Sequence, residues 1–220
     1  MIKIIYQNKE FVIIEKPFGV LSQKDAKGED GIVEMLSEQL KTTVYPVHRL
    51  DRPVGGVMVY ALTKKSAALL SAEGAFEKTY LAVVAGMNDE FPITGEMIDY
   101  LYKDSAKGKS FVVKSERKGA KLAKLAYEVL DGVETDHGRL SLVRIKLFTG
   151  RTHQIRVQFA SRGMPLVGDG KYGSRIKSEF IALWSHKIEM NAPINCVAVA
   201  TPISEWFKMF NVGNSGDHYD

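Results

Sequence analysis

The residues with the most chemistry in them stand together at His48-Arg49-Leu50-Asp51-Arg52-Pro53, one carboxylate between two arginines, followed closely by Gly55-Gly56. Cations within a few ångström favour the charged form of an acid, so Asp51 is expected to stay ionised at neutral pH. That makes it a poor general acid and a suitable nucleophile or base. The same R-x-D-R is equally a way to pin a turn through structural ion pairs, and the local sequence leaves both readings open.

Other familiar chemistries lack the residues they need. There is no GxxxxGK[ST] and no GxGxxG after a strand, so nucleotide phosphates have no evident cradle. Ser185 stands next to His186 without the flanking glycines of a nucleophile elbow. No second acid lies near Asp51 to complete the pair that glycoside hydrolysis wants. Histidines 48, 137, 153, 186 and 218 show no paired ligand spacing, and Cys196 is the one cysteine. No metal, no cofactor and no internal disulfide are therefore expected, and a reducing compartment is the simpler setting. Residues 7–10 break the first apolar run with Gln, Asn, Lys and Glu, so the start reads as neither a signal peptide nor a membrane span, and a cytoplasmic location is expected.

A net charge of +4 and a pI near 9.0 suggest a polyanionic partner without requiring one. The distribution says more, because basic residues crowd Lys103 to Lys124 and Arg139 to Arg175 while the acids are spread more evenly. A solvated charged face is the plainer account of such a pattern.

The elements that must position these groups read as a mixed, mostly β chain. Ile2–Tyr6 and Phe11–Glu15 are expected as short strands joined by a polar turn, and Gly31 to Leu40 has helical apolar spacing. Val57–Leu62 is a continuous apolar run of the kind covered on both faces, and Thr63 is placed to cap a helix reaching about Phe76. Thr79–Val84 reads as strand and Asp104–Ser110 as a mobile loop. Leu122–Leu130 and Leu140–Leu147 read as strands, with turns at Asp131-Gly132 and His137-Gly138 between them. Thr149 to Ala160 reads as a loop entering a helix, with Gly163 at its C-terminal end. A last helix is expected over about Ile203 to Phe210. With 45% hydrophobic residues in 220, one α+β domain around a long, bent, mainly antiparallel sheet flanked by helices is the economical picture. It would cover residues 1–212, with 213–220 as a flexible tail.

His48-Arg49-Leu50-Asp51, followed by an apolar strand, resembles the signature of the RluA-type pseudouridine synthases. Three further blocks match in the family's order: Glu15-Lys16-Pro17-Phe18-Gly19-Val20, Glu77-Lys78-Thr79-Tyr80-Leu81-Ala82 and Thr149-Gly150-Arg151-Thr152-His153-Gln154-Ile155-Arg156-Val157. The last runs on into Gly163 to Gly173, also family-like, and the similarity spans roughly residues 10 to 190. The resemblance implies a pseudouridine-synthase-like catalytic domain that detaches uracil from its ribose in RNA and rejoins it through a base carbon, with no cofactor. The target base would be extruded into a pocket.

By resemblance Asp51 is the essential aspartate, whether it attacks sugar or base or withdraws a proton. Tyr80 matches the tyrosine lying against the uracil, and Arg156 the arginine that pairs with the aspartate through a bidentate contact. Arg49 matches the residue that fills the gap left by the flipped base. Lys78 and Arg151, with Lys103, Lys107 and Lys109, are candidates for phosphate contacts. His153 shares a helix face with Arg156 and is placed for the substrate or for a structural hydrogen bond. Lys16-Pro17 is expected to shape a turn of the sheet.

Two departures stand out. Val54-Gly55 replaces the usual Thr-Ser, and Leu183-Trp184-Ser185 replaces Leu-His-Ala. No N-terminal accessory RNA-binding domain is expected, so a monomer recognising structured RNA, ribosomal or transfer, must do so through the catalytic domain. Two other readings remain: an inactive RNA-binding or RNA-folding module on the same scaffold, and a nucleoside hydrolase, which lacks its second carboxylate.

Overall fold

The computed structural model describes residues 1–72, 74–88, 90–116, 118–191 and 194–210. The expected tail at 213–220 lies outside them. In chain order the first elements are β1 (Lys3–Gln7), β2 (Phe11–Lys16), α1 (Ile32–Leu40), β3 (Tyr45–Pro46), β4 (Gly55–Ala61), α2 (Lys64–Leu70) and β5 (Phe76–Ala85). There follow β6 (Thr94–Asp104), β7 (Lys109–Val113), β8 (Ala120–Thr135), β9 (Gly138–Leu147), α3 (Gln154–Ala160), a 3-10 turn at Gly170–Tyr172, β10 (Leu183–Met190), β11 (Cys196–Val199) and α4 (Glu205–Lys208). The chain divides into two compact units, residues 1–78 with 184–202 and residues 79–183 with 203–220.

In the first unit the strands run in the order β1-β2-β4-β10, with β3 beside β4 and β11 beside β10. All seven residues of β4 are buried, as its unbroken apolar run requires of a strand covered on both faces. α1 turns Ile32 and Leu36 into the core, and a Glu34 carboxylate accepts the Gly31 N–H at its start. α2 begins as expected, with Thr63 Oγ1 accepting the Ser66 N–H. It stops at Leu70 rather than near Phe76, because Gly74 takes a left-handed φ of 80° and the chain re-extends into β5.

The pairing of β4 with β10 is parallel, Trp184 opposite Gly55 and Ser185 opposite Gly56; the other described pairs are antiparallel. That pairing explains the glycine at 55 and the Trp184-Ser185 opposite it. A Cβ at Gly55 would collide with the Trp184 ring, and one at Gly56 with the Ser185 backbone. The indole fills the space, lies 5.2 Å from the Phe18 ring and donates its Nε1–H to the Ala200 carbonyl at 2.7 Å. Ser185 Oγ donates to the Val57 carbonyl at 2.9 Å, so the buried hydroxyl is satisfied.

In the second unit the order is β5-β9-β8-β6-β7. The α+β content and mainly antiparallel pairing expected from the sequence are found. The strand β6 was not expected from the sequence, and two expectations need correction here. β6 carries apolar residues on both faces, Met97 and Leu101 buried, Ile98, Tyr100 and Tyr102 outward, which hides its period. The expected loop at Asp104–Ser110 is the tight connection of the β6–β7 hairpin. β8 does not turn at Asp131-Gly132 but runs through it, absorbing an irregularity of register between Val129 and Asp131. α3 packs Val157 with Leu101, Ala123 and Tyr172, and ends as expected at Gly163, whose φ is 80°. The last helix, α4, is shorter than expected, four residues from Glu205.

Candidate functional site

Asp51, Arg49 and Lys78 belong to the first unit; Tyr80, Arg151, His153 and Arg156 belong to the second. Around Asp51 almost every fixing contact is made to backbone. Ser22 Oγ accepts the Leu50 N–H at 3.1 Å and donates to the Leu50 carbonyl at 2.8 Å. The Asp51 carbonyl accepts the Val54 N–H at 3.0 Å, closing a turn. Gly19 donates to the Arg52 carbonyl at 2.9 Å, and Arg52 Nε returns a bond to the Gly19 carbonyl at 2.9 Å.

Lys16 is the strongest of these anchors. Its side chain is fully buried, and Nζ donates to the carbonyls of Val54 at 2.7 Å, Pro17 at 2.9 Å and Arg52 at 3.3 Å. An ammonium has three donors and here all three meet main-chain oxygens that flank Asp51 or the preceding turn. Burial lowers the Lys16 pKa to about 7, against the pull of the Asp51 carboxylate and with the push of Arg52. The expectation that Lys16 shapes a turn holds, and the turn is the one bearing Asp51.

Arg52 reaches Glu29, with Nη1 at 2.9 Å and Nη2 at 2.8 Å from its two oxygens. The pair is exposed and links the loop to residue 29. Arg49 is exposed. Lys78 is half-buried over the Phe76 ring at 5.3 Å, and burial lowers its pKa.

His48 has a structural task. Its Nε2 accepts the Val59 N–H at 3.1 Å, its ring meets Phe76 edge-on at 5.5 Å, and its Nδ1 is buried without a hydrogen-bond partner. Burial first, and Lys78 second, hold its pKa well below 6.5, so the folded ring is neutral. Below about pH 6.5 an unfolded chain takes up a proton that folded His48 refuses, so this contribution to stability is complete above that pH and lost as the pH falls. Urea midpoints measured at pH 7.5 and 5.0 should differ less in His48→Gln than in the wild type; an equal difference would place the acid sensitivity elsewhere.

In the second unit the candidate residues gather around α3. Gln154 organises the Thr-Gly-Arg loop: its Oε1 accepts from Thr149 Oγ1 at 2.8 Å and the Arg151 N–H at 3.0 Å, and its Nε2 donates to the Lys124 carbonyl at 3.1 Å. Arg151 Nε donates to the Leu122 carbonyl at 2.8 Å, so this candidate phosphate contact is tied down at its inner nitrogen. His153 occupies the N-cap of α3 with φ 55°.

Arg156 holds Asp169 side-on, Nε to Oδ2 at 2.6 Å and Nη2 to Oδ1 at 2.9 Å, with side-chain exposures of 5% and 1%. Nη1 is not part of that pair. Tyr172 binds the cluster together. The Arg156 guanidinium lies 5.1 Å from its ring centre and the His153 ring meets it edge-on, with Nδ1 2.9 Å from the hydroxyl. The same hydroxyl accepts the Ser110 N–H at 2.8 Å. His153 and Arg156 both lie against Tyr172, but His153 does so from the N-cap and not from a helix face shared with Arg156. Tyr80 is buried on β5.

Asp169 and Tyr172 had no role assigned from sequence, although Gly168-Asp169-Gly170-Lys171-Tyr172-Gly173 puts an acid and an aromatic among three glycines. That clustering was the available signal. Among the described residues no group of three or more His, Cys, Asp and Glu is arranged to hold a metal, and no helix is long and apolar enough to cross a membrane. In the first unit a carboxylate stands on an immobilised loop, which suits acid–base or nucleophilic chemistry.

Comparison with known proteins gives the family. The family model described as RNA pseudouridylate synthase matches residues 10–161. A tRNA pseudouridine synthase C from Vibrio parahaemolyticus is 33% identical over 209 residues, covering 87% of this chain and 82% of the relative. An uncharacterized RNA pseudouridine synthase from Haemophilus influenzae is 32% identical over 226 residues, covering 94% and 91%. In fold, human RNA pseudouridylate synthase domain containing 1 superposes with a TM-score of 0.76 at 24% identity, over 92% of this chain and 84% of that one.

Proposed function

Because the chain belongs to the RNA pseudouridylate synthase family and is an RNA pseudouridine synthase by that membership, we propose that it isomerises specific uridines of structured RNA through Asp51. Transfer RNA is the first substrate to try, since several relatives are named for it, with ribosomal RNA as the second. Residues 1–212 act as one catalytic domain, monomeric and cytoplasmic.

In this reading the target nucleotide leaves its stack and Arg49 fills the gap. Tyr80 lies against the uracil, and Lys78, Arg151 and His153 contact the substrate around it. Asp51 engages the nucleoside while the C1′–N1 bond breaks, the base turns, C1′–C5 forms, the C5 proton is lost and N1 gains one. The change is redox-neutral and balances without a cofactor. Arg156 orients the Asp51 carboxylate, its own plane set by Asp169.

The observation that supports catalysis over simple RNA binding is the Lys16 cage, a fully buried amine bonded to the Arg52 and Val54 carbonyls of the loop that carries Asp51 and to the Pro17 carbonyl beside it. Binding alone needs no such fixation, whereas reacting groups must be held within about 0.5 Å.

The purified protein incubated with total RNA should introduce pseudouridine at discrete positions, mapped by chemical reactivity. RNA bound without any pseudouridine formed would favour the inactive module, and liberated uracil would favour the hydrolase.

A further inference from the structure

The basic stretch between residues 103 and 124 is not absorbed by the catalytic reading. It holds eight lysines and arginines against two acids, a net of +6, whereas the whole chain carries +4. The stretch from Arg139 to Arg175 is the other basic part of the chain, and outside these two stretches the protein is net acidic.

The fold brings part of that charge, including Lys103, Lys109 and Lys121, to one end of three strands. Lys109 pairs with Asp104 across β6–β7, and the start of β8 lies opposite the end of β6, Ala120 by Tyr102 and Lys121 by Leu101. Lys103, Lys107, Lys118 and Lys121 are exposed there. Lys171 adds to the same end, its Nζ donating to the Gly108 carbonyl at 3.1 Å. Asp104 is the local acid; it accepts the Lys107 N–H at 3.0 Å and lies 3.9 Å from Lys107 Nζ.

Protection of a sheet edge against pairing with other chains accounts for lysines on β7, the end strand in the strand order. It does not account for Lys103 on β6, Lys121 on β8 or Lys118 before it, since β6 and β8 are paired on both sides.

The aromatic rings at this end decide what kind of polyanion fits. Lys107 and Lys109 lie over the Phe111 ring at 5.8 and 5.7 Å, Lys109 also lies 4.8 Å from the centre of Tyr172, and Gly119 backs the Tyr102 ring. Single-stranded RNA is gripped by bare rings on which bases stack. Here the Phe111 and Tyr172 rings carry cations, so they offer charge rather than bare stacking platforms, which suits the phosphates of a double-helical arm.

We infer that the end of the β6–β7 hairpin, with the start of β8 and Lys171, is a docking surface for the phosphate backbone of a duplex arm of the RNA substrate. This deepens the proposed function and rests on it. The surface adjoins the Arg156 cluster directly, for Ser110 bonds Tyr172 by its N–H and the Thr152 carbonyl by its Oγ at 2.7 Å. An arm docked on the hairpin is thereby registered against α3.

The test replaces Lys103, Lys118 and Lys121 together by serine, leaving Lys109 on its aromatic seats. Binding of a 20-base-pair RNA duplex is followed by fluorescence anisotropy across a potassium chloride series, and pseudouridine formation is timed on a full-length transfer RNA and on an isolated stem-loop. The inference expects duplex affinity to fall at least about tenfold and the slope of log affinity against log salt to drop by about 2 to 3. It also expects KM on the full-length RNA to rise about tenfold with kcat unchanged and the stem-loop little affected, while the triple arginine variant restores binding. Unchanged duplex affinity and salt slope, or a loss seen for oligouridine and not for duplex, overturns it. Weaker duplex binding with a wild type that forms no pseudouridine leaves the docking surface standing and removes the catalytic reading instead.

Discussion

Asp51→Asn should abolish pseudouridine formation, lowering the single-turnover rate by at least about 10³-fold, the scale seen when an enzyme's reacting group is removed. Asparagine matches aspartate in shape, and the bonds that fix residues 50–54 run to backbone: Lys16 to the carbonyls of Arg52 and Val54, Ser22 to both main-chain groups of Leu50. The loop therefore keeps its path when the charge goes. Melting temperature within about 3 °C of wild type, and RNA affinity within about threefold, should accompany the lost rate. Formation at the wild-type rate would remove Asp51 from the chemistry.

Asp169→Asn should cost stability as well as rate. The pair it breaks is buried on both sides, so the asparagine leaves the Arg156 guanidinium away from water without its counter-charge, a loss of about 3–5 kcal/mol. For a chain of this size that is a fall of about 10 °C in melting temperature. Pairing Arg156→Met with Asp169→Leu removes both charges, and apolar replacement of a buried pair is often neutral. The double variant should then melt within about 5 °C of wild type while forming pseudouridine at least about 10²-fold more slowly. A double variant with near-normal activity would mean that Arg156 serves packing alone.

The legible parts of this molecule are those whose cause lies within a few residues. Thr63 caps α2 because Ser66 is three residues on, and β4 is buried because nothing polar interrupts it. The HRLD and TGRxHQ blocks identify a family because each is an unbroken run of residues, although the loops they form are held by distant ones such as Lys16, Ser22 and Lys124. What was not legible depends on partners far away in the chain. Nothing near Lys16 says that its ammonium will meet the carbonyl of Val54, 38 residues on, since every residue carries a carbonyl and composition cannot mark which one is used. Asp169 lies 13 residues beyond Arg156 across a loop, farther than any helical spacing reaches. β6 escaped notice because Ile98, Tyr100 and Tyr102 put apolar groups on the outward face too, and a period of two is visible only when one face is polar.

The fit of Trp184 over Gly55 also constrains the order in which such sequences can change. A lineage moving from a side chain at 55 and a smaller ring at 184 cannot acquire the tryptophan first, because the indole would overlap the β-carbon already there. The glycine must come first, leaving a gap that the tryptophan later fills. The two positions, far apart in the chain, have a direction of travel between them, and reading one restricts what the other can be.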